Sequence, residues 1–192
     1  MTPDAVLDEA FDATPRVVFL PEDQQQFADQ DRALPIGWRQ TNSQPTTVRA
    51  MLELLDVQLG QCVLDVGCGS GWTTALLARL VGSSGEVIGV ELVPELVEFG
   101  RANLATQNLP QAHIEPAIPH VLGLPDRGPF DRILVSAQAS TLPPTLVEQL
   151  RVGGILVVPI KGWMHEVRRT DADGPPEVTR HGGYSFVPLV GG

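Results

Sequence analysis

Three glycines separated by single residues form the segment of this sequence best suited to bind a ligand through its main chain. An apolar run at 63–66, interrupted by Asp65, precedes the glycines, and helical spacing at 73–80 follows them. A strand, a tight glycine turn and a helix in that order open nucleotide-binding α/β sheets, because glycine permits positive φ and lets a ligand approach the backbone. The glycines are Gly67, Gly69 and Gly71.

A second acid, Glu91, ends the apolar run 87–90 and follows the last glycine by twenty residues. At the tip of the neighbouring strand, a carboxylate can accept hydrogen bonds from both hydroxyls of a ribose. The glycine spacing is G-x-G-x-G, whereas dinucleotide sites typically have G-x-G-x-x-G, which disfavours a nicotinamide-dependent dehydrogenase. The observed spacing is common in S-adenosylmethionine-dependent methyltransferases. We therefore expect S-adenosylmethionine to bind at this turn.

Alternating strand and helix signals after residue 61 predict the framework that holds the glycines. Short apolar runs predict strands, and amphipathic stretches between them predict crossover helices. This alternation indicates parallel strands joined by helices on both faces of one sheet. Strands are expected near 62–66, 86–91, 111–115, 130–136 and 154–160, and helices near 72–81, 94–107 and 143–151.

Both ends of the sequence depart from that rhythm. Apolar spacing predicts N-terminal helices, and two prolines with a glycine predict a loop before the first sheet strand. After Pro159, two strand-like segments flank a turn-rich link and predict an antiparallel hairpin. The ranges are helices 4–13, 21–28 and 46–59, loop 34–45, and hairpin segments 164–170 and 177–181.

The predicted fold class is α/β: a three-layer Rossmann-like methyltransferase sandwich, in which a mostly parallel sheet ends in an antiparallel hairpin and follows an N-terminal helical extension. At 192 residues the chain is large enough for one domain with a hydrophobic core. We expect a single methyltransferase domain over 1–192. It would comprise a helical cap with a substrate loop (1–45) and an S-adenosylmethionine-binding core (46–192).

The composition of the chain disfavours several classes of binding partner. A formal net charge of −10 disfavours binding of nucleic acid, because attraction to phosphates requires a positive surface. No apolar run approaches the roughly 20 residues that cross a bilayer. The first four residues lack the pattern of an export signal, which predicts a cytoplasmic protein without a membrane partner. The histidines and cysteines show no metal-ligand spacing, so we expect no metal and reduced thiols at Cys62 and Cys68.

Four segments outside the glycines carry more specific motifs. Residues 34–45 contain a Q-T-x-S-x-P core, and residues 91–96 contain E-x-x-P-E-L. The other two are P-F-D-R-I-L-V-S-A at 129–137 and F-V-P-L at 186–189. From about Phe11 to its end, the chain resembles the protein-L-isoaspartate O-methyltransferase family.

The resemblance implies that the chain methylates the free α-carboxylate of L-isoaspartyl residues in damaged peptides or proteins. The ester then cyclises to a succinimide, which can reopen as normal aspartate. By the same resemblance, Ser43 is the active-site hydroxyl that holds the substrate carboxylate, and the cofactor product is S-adenosylhomocysteine. The implied substrate-binding residues around it are Thr41, Asn42, Gln44 and Pro45. The implied cofactor-binding residues are Asp65, Gly67, Cys68, Gly69, Glu91, Leu92, Ile118 and Ser136.

Two of these residues have a second interpretation. Ser43 lies just before a predicted helix, and serine is a favoured N-cap residue, although the surrounding motif favours the active-site role. Asp65 either binds the cofactor or accepts hydrogen bonds from the amides of the turn, and the sequence leaves both open.

Several positions depart from the family pattern. Without a gap, Ile118-Pro119-His120 stands where the family has G-D-G, whose aspartate usually faces the adenine amino group. The backbone near Ile118, or the Glu115 carboxylate, could replace it. Asn42 stands where an apolar residue is usual, and Thr46 where an aromatic residue or histidine is common. The peptide pocket is therefore expected to differ from that of the family.

Three functions remain open from the sequence. The first is an isoaspartyl repair methyltransferase. The second is a related enzyme that methylates an aspartate carboxylate in a dedicated precursor peptide. The third is a degenerate, noncatalytic protein that binds cofactor weakly or serves as a partner subunit. We favour carboxyl methylation of a peptide or protein substrate by a monomer.

Overall fold

The computed structural model describes residues 2–189 of the chain. Its strands are β1 (Leu34–Gly37), β2 (Gln40–Asn42), β3 (Cys62–Val66), β4 (Glu86–Glu91), β5 (Ala112–Pro116), β6 (Phe130–Val135), β7 (Leu150–Ile160), β8 (Trp163–Arg168) and β9 (Glu177–Gly183). Its α-helices are α1 (Pro3–Asp12), α2 (Pro45–Leu55), α3 (Trp72–Val81), α4 (Pro94–Ala105) and α5 (Pro144–Glu148). Two 3-10 helices, Arg16–Phe19 and Glu22–Phe27, follow α1, the second where a short helix is predicted.

Seven strands form one sheet in the order β5-β4-β3-β6-β7-β8-β9. β3 pairs in parallel with both β4 and β6, so the strand order reverses at this point. In an open α/β sheet, such a reversal leaves a crevice at the carboxyl ends of the central strands. β8 pairs antiparallel with both β7 and β9. The predicted Rossmann-like sheet with an antiparallel end is confirmed.

Alternate residues of the central strands face opposite layers. Val63 of β3 and Val87 of β4 belong to the apolar cluster that includes α2, α3 and α4, and α1 packs against α3. Leu64 and Ile88 belong to the cluster on the other face, together with Leu146 of α5. Each such fully buried side chain contributes about 1.5–3 kcal/mol. The two clusters therefore hold the strand ends that carry the candidate site.

The boundary between α5 and β7 differs from the prediction. α5 ends at Glu148, and β7 begins at Leu150, four residues earlier than expected. Gly153 has a φ of 84°, and the pairing of β6 with β7 shifts register near this point. The glycine pair at 153–154 therefore forms an irregularity inside the strand and does not mark its start. The helix predicted over 143–151 is too long for the same reason.

Part of the segment predicted as a loop is instead a small hairpin. β1 and β2 pair antiparallel, and Trp38 and Arg39 at the tip have φ values of 49° and 62°. Left-handed backbone costs roughly 1–2 kcal/mol per residue outside glycine, so such tips usually carry Asn-Gly or Asp-Gly. The sequence lacks that signal, which explains why the hairpin escapes prediction.

The cysteines are free thiols. Burial raises the pKa of Cys62 to about 11 and also raises that of Cys68, so both thiols are protonated at neutral pH. Among residues 2–189, no helix is long and apolar enough to span a membrane. The same stretch of chain contains no group of three or more His, Cys, Asp or Glu side chains placed to hold a metal ion.

Candidate active site

A crevice that is partly open to solvent lies at the carboxyl ends of β3, β4 and β6. A smaller adjoining pocket, here called the Ser43 pocket, contains Ser43. The two cavities have lining residues in common: Thr41, Gly67, Gly69 and Ser136. The structure therefore brings the predicted substrate loop and the predicted cofactor turn together. Other predicted residues on the crevice are Glu91, Leu92 and Ile118, and those on the Ser43 pocket are Asn42 and Cys68.

The glycine turn, residues 67–71, has a backbone that only glycine adopts readily. Gly67, Gly69 and Gly71 have φ values of 75°, 54° and 85°. The Gly67 nitrogen donates to the carbonyl of Val90 at 2.9 Å, which ties the turn to β4. On the other side, a Cβ added to Gly100 of α4 would lie 2.9 Å from the Gly69 carbonyl oxygen. Close packing of α4 therefore supports the turn from behind.

The Glu91 carboxylate is mostly buried at the crevice, where main-chain amides surround it. Its Oε1 accepts from the nitrogens of Leu92 and Val93 at 2.8 and 3.0 Å. Its Oε2 accepts from the nitrogen of Gly69 at 2.9 Å. A carboxylate has about four lone-pair positions, so one position on Oε2 remains for a ribose hydroxyl. Acceptance from a second hydroxyl requires release of one amide.

Asp65 is fully buried beneath the glycine turn and does not line either cavity. Its Oδ2 accepts from the hydroxyls of Thr73 and Thr74 at 2.7 and 2.8 Å. Both threonines lie in the first turn of α3, so the partners of Asp65 are side-chain hydroxyls rather than the turn amides that the sequence suggested. Within residues 2–189, its Oδ1 has no hydrogen-bond partner. Burial, with a smaller effect of Glu91, raises the pKa of Asp65 to about 6.

Ser43 does not cap α2. The N-cap residue is Gln44, and its side chain caps no main-chain N–H of the first turn. Asp31 replaces it, because its Oδ1 accepts from the nitrogen of Thr46 at 3.0 Å and its Oδ2 from the Thr46 hydroxyl at 2.9 Å. The N-cap interpretation of Ser43 is therefore wrong, which leaves this hydroxyl for the Ser43 pocket.

The other predicted substrate residues divide into two groups. Thr41 is exposed and lines both cavities, whereas Asn42 is buried, with its side-chain atoms bonded inside the protein. Gln44 lies outside both cavities and donates through Nε2 to Asp31 at 2.9 Å. Pro45 begins α2. Contact of Gln44 or Pro45 with a substrate stays a prediction.

The edge of the crevice near residue 118 differs most from the family pattern. Ile118 lines the crevice and is 55% exposed, and His120 also faces it with a φ of 65°. Glu115 does not lie on the crevice, since its Oε1 is 3.1 Å from His113 Nε2 and 3.2 Å from Arg127 Nη1. Of the two proposed replacements for the family aspartate, only the segment at Ile118 lies on the crevice, and its contact with adenine stays a prediction.

Sequence reasoning missed the arginine that holds the predicted substrate loop. Arg16 is buried, and its Nη2 donates to the Ser43 carbonyl at 2.8 Å, while burial lowers its pKa to about 10. Trp72, the first residue of α3, donates through Nε1 to the carbonyl of Thr14 at 3.0 Å. The available signal was a lone arginine between Pro15 and the apolar stretch 17–20. Its partners are distant in sequence and carry no motif.

The comparison with known families gives one match over the whole chain. A family described as protein-L-isoaspartate(D-aspartate) O-methyltransferase matches residues 1–192. The protein-L-isoaspartate O-methyltransferase of Thermococcus onnurineus is 42% identical over 194 residues, covering 95% of this chain and 84% of that protein. The enzyme of the same name from Methanopyrus kandleri is 43% identical over 189 residues, covering 95% and 82%.

Solved structures give a consistent result. A Plasmodium falciparum protein, assigned as a protein-L-isoaspartate O-methyltransferase and crystallised with S-adenosyl-L-homocysteine, superposes with a TM-score of 0.88 at 25% identity. The alignment covers 100% of this chain and 93% of that one. A second structure named protein-L-isoaspartate O-methyltransferase gives a TM-score of 0.86 at 24% identity, which supports the fold.

Proposed function

The chain belongs to the protein-L-isoaspartate(D-aspartate) O-methyltransferase family, and we propose that it transfers a methyl group from S-adenosylmethionine to the free carboxylate of isoaspartyl residues in peptides and proteins. One observation carries this proposal beyond family membership. The Ser43 pocket opens onto the glycine turn and shares four lining residues with the crevice. A substrate carboxylate beside Ser43 would therefore lie next to the turn expected to hold the methyl donor.

The residues of the crevice fit S-adenosylmethionine. A Cβ added to Gly69 would lie 3.2 Å from Ile36 Cδ1, so a side chain there would fill space at the turn. Glu91 retains one acceptor position suited to a ribose hydroxyl. The Ser136 hydroxyl is buried without a partner among residues 2–189 and can donate to a ligand. Apolar surface for an adenine comes from Leu92 and Ile118.

The reaction requires little from the protein beyond placement. When bound, S-adenosylmethionine supplies an electrophilic methyl group, and its product is S-adenosylhomocysteine. A carboxyl group has a reference pKa near 4, so the substrate is already ionised at neutral pH and needs no general base. Correct placement of two reactants can account for about 7–11 kcal/mol of a barrier. The absence of an acid–base constellation around Ser43 in the described residues is therefore compatible with this chemistry.

Ser43 acts as the orienting group in this proposal. Its hydroxyl donates to one oxygen of the substrate carboxylate, which leaves the other oxygen directed toward the glycine turn. Thr41, which lines both cavities, flanks the substrate on its exposed side. Ser43 is half-buried, so partial exclusion of water strengthens the hydrogen bond that it makes.

A methylation assay with three components tests the proposal: an isoaspartyl peptide, its aspartyl twin and methyl-labelled S-adenosylmethionine. We expect base-labile label on the isoaspartyl peptide only. Label on the aspartyl twin instead would indicate an enzyme for a dedicated aspartyl peptide, a possibility that Asn42 and Thr46 raise by departing from the family pattern. No label on either peptide would refute the proposal.

Calorimetry with S-adenosylhomocysteine tests the noncatalytic alternative separately. An enzyme of this kind should bind its product, whereas a degenerate family member with a blocked turn should not. Pro119 stands where the family has the aspartate that faces adenine. The measured affinity therefore shows how well this crevice binds adenine without that aspartate. Absence of heat together with absence of methylation would favour a partner protein.

We also propose that the protein works as a single-domain monomer in the cytoplasm and binds neither nucleic acid nor membrane. The net charge of −10 supports the last two points, because phosphate backbones and anionic lipid surfaces repel a negatively charged protein. One continuous seven-stranded sheet, built from residues 62 to 183, supports one domain for the core. Light scattering at micromolar concentration tests the oligomeric state, and a mass near 20.7 kDa is expected.

A further inference from the structure

Arg16 donates hydrogen bonds to the main chain on both sides of the Ser43 α-carbon. Its Nη2 donates to the carbonyl oxygens of Asn42 at 3.1 Å and of Ser43 at 2.8 Å. The guanidinium carbon also lies 5.5 Å from the centroid of the Trp72 ring, at the start of α3. The remaining guanidinium contacts with main-chain oxygens are with Ala28 at 3.4 Å, Gln30 at 3.0 Å and Arg32 at 2.8 Å. The arginine is thus held by the N-terminal segment and in turn holds the Ser43 loop.

Asn42 connects Arg16 to the glycine turn through two hydrogen bonds. Its Oδ1 accepts from Arg16 Nε at 2.7 Å, and its Nδ2 donates to the Ser70 hydroxyl at 3.1 Å. A guanidinium has no acceptor, so the amide can face Arg16 only through its oxygen, which fixes the orientation of the side chain. Nδ2 must therefore point at Ser70.

Ser70 lies within the glycine turn, between two of its glycines. It is 2% exposed, and its carbonyl oxygen accepts from Asn103 Nδ2 of α4 at 3.0 Å. Consecutive α-carbons are 3.8 Å apart, so a shift at Ser70 moves Gly69 directly. The same holds between Asn42 and Ser43. One buried hydrogen bond therefore joins Asn42, next to Ser43, to Ser70, next to Gly69.

We propose that Arg16 and Asn42 are positioning residues, which hold the Ser43 hydroxyl at a fixed place relative to the glycine turn and thereby couple peptide binding to cofactor binding. This inference rests on the proposed function. Neither side chain needs to contact the reacting atoms. Their effect is to make occupation of the turn and order in the Ser43 loop depend on each other, because both are bonded through Asn42.

The first test replaces Arg16 by lysine. An ammonium keeps the charge but cannot reproduce the fork that reaches several carbonyls. For Arg16→Lys we expect kcat with an isoaspartyl peptide to fall about tenfold or more, while the Kd of S-adenosylhomocysteine changes less than about threefold. An unchanged kcat, or an equal loss of both quantities, would overturn the positioning role. Unfolding of the variant would move the decision to Asn42, whose variants leave Arg16 in place.

The second test measures coupling without turnover. The Kd of the isoaspartyl peptide is determined by calorimetry with and without saturating S-adenosylhomocysteine, in the wild type, Asn42→Leu and Asn42→Asp. We expect the peptide to bind more tightly with the nucleoside present in the wild type. Asn42→Asp should retain this ratio of the two peptide Kd values. A carboxylate accepts from Arg16, and the Ser70 hydroxyl can rotate to donate to it. Asn42→Leu should lose it, because leucine makes neither bond.

Val81→Ala, at the far end of α3, is the control for general loss of stability. The inference fails if Asn42→Leu couples the two ligands as the wild type does, or if Val81→Ala loses coupling to the same extent. It also fails if the wild type methylates the isoaspartyl peptide but shows no coupling. Failure of the proposed function has a different signature, which is absence of methylation in the wild type.

Discussion

The main-chain nitrogen of Gly69 donates to Oε2 of Glu91 at 2.9 Å, so the middle glycine of the turn is bonded directly to the acid that ends β4. This bond gives the Glu91 carboxylate two tasks. It shapes the glycine turn and, in the proposed complex, also receives the ribose. A change at Glu91 should therefore affect the cofactor more than the peptide.

Glu91→Gln is expected to weaken S-adenosylhomocysteine binding about tenfold to a hundredfold, the range for loss of a hydrogen bond to a charged group. The glutamine nitrogen cannot accept, so either the turn or the amides after β4 lose a partner. Calorimetry measures the effect. Glu98→Gln on α4, whose side chain is 75% exposed, is the matched control and should bind like the wild type. Equal affinity in both variants would contradict a ribose-binding role for Glu91.

Ser43→Ala should reduce kcat for an isoaspartyl peptide about tenfold to a hundredfold, because it removes a hydrogen bond to a carboxylate. The affinity for S-adenosylhomocysteine should stay within about twofold, since the Ser43 side chain makes no bond to the turn. Ser83→Ala, in the exposed turn before β4, controls for loss of a serine. Parallel losses of turnover and cofactor affinity would mean that Ser43 only helps to build the fold.

Asp65 should make the protein less stable as the pH rises through the range in which this carboxyl ionises. Its pKa is about 6 in the folded protein, against 3.8 as the ordinary value, so the unfolded chain gives up its proton first. Folding therefore favours the protonated carboxyl group of Asp65. Its contribution to the free energy of unfolding is complete below pH 3.8 and lost above about pH 6. Two units correspond to about 3 kcal/mol of unfolding free energy.

Urea denaturation of the wild type and Asp65→Asn between pH 3.5 and pH 7.5 isolates this contribution, because other carboxyl groups cancel in the difference. We expect the stability of the wild type relative to the variant to fall by about 3 kcal/mol across this interval. A difference that does not vary with pH would show that Asp65 ionises normally in the folded protein.

Gly100→Ala should damage the glycine turn from behind. The new Cβ would lie 2.9 Å from the Gly69 carbonyl oxygen and 2.9 Å from Ile114 Cδ1, closer than real contacts allow. Overpacking of this kind costs about 1–3 kcal/mol and exceeds the gain of up to about 1 kcal/mol in helix propensity.

Thermal unfolding and S-adenosylhomocysteine titration together check this expectation, and both the melting temperature and the affinity should fall for Gly100→Ala. Gly183→Ala in β9 is the control, since its nearest neighbour would be 3.6 Å from the added carbon. A Gly100→Ala protein with normal affinity would show that the turn does not depend on α4.

The parallel sheet and the glycine turn can be predicted because their signals are local. Apolar runs such as that of β3 alternate with amphipathic helices, and three glycines with positive φ have few other uses. Ser43 can be placed only by resemblance, since sequence physics alone favours the helix cap that Asp31 in fact provides. The active-site role of Ser43 rests on the resemblance and stays a prediction.

The remainder depends on contacts that no local pattern announces. Arg16 meets Ser43 across 27 residues, and Asp31 meets Thr46 across 15. The hairpin at 34–42 forms although Trp38 and Arg39 are poor residues for its tip, because tertiary packing of Leu34 and Ile36 outweighs turn propensity. Sequence patterns predict which residues approach the site, but not which side chains hold them there.

The two edge strands of the sheet, β5 and β9, are both protected against pairing with a strand from another chain. At β5, Arg101 Nε donates to the Ile114 carbonyl at 2.7 Å and so covers part of that margin. At β9, Glu177 and Arg180 place exposed charges along the opposite margin. Charged side chains and blocked carbonyls discourage foreign strands from extending a sheet. Both margins of the sheet are therefore protected against pairing with an extended segment of a peptide substrate.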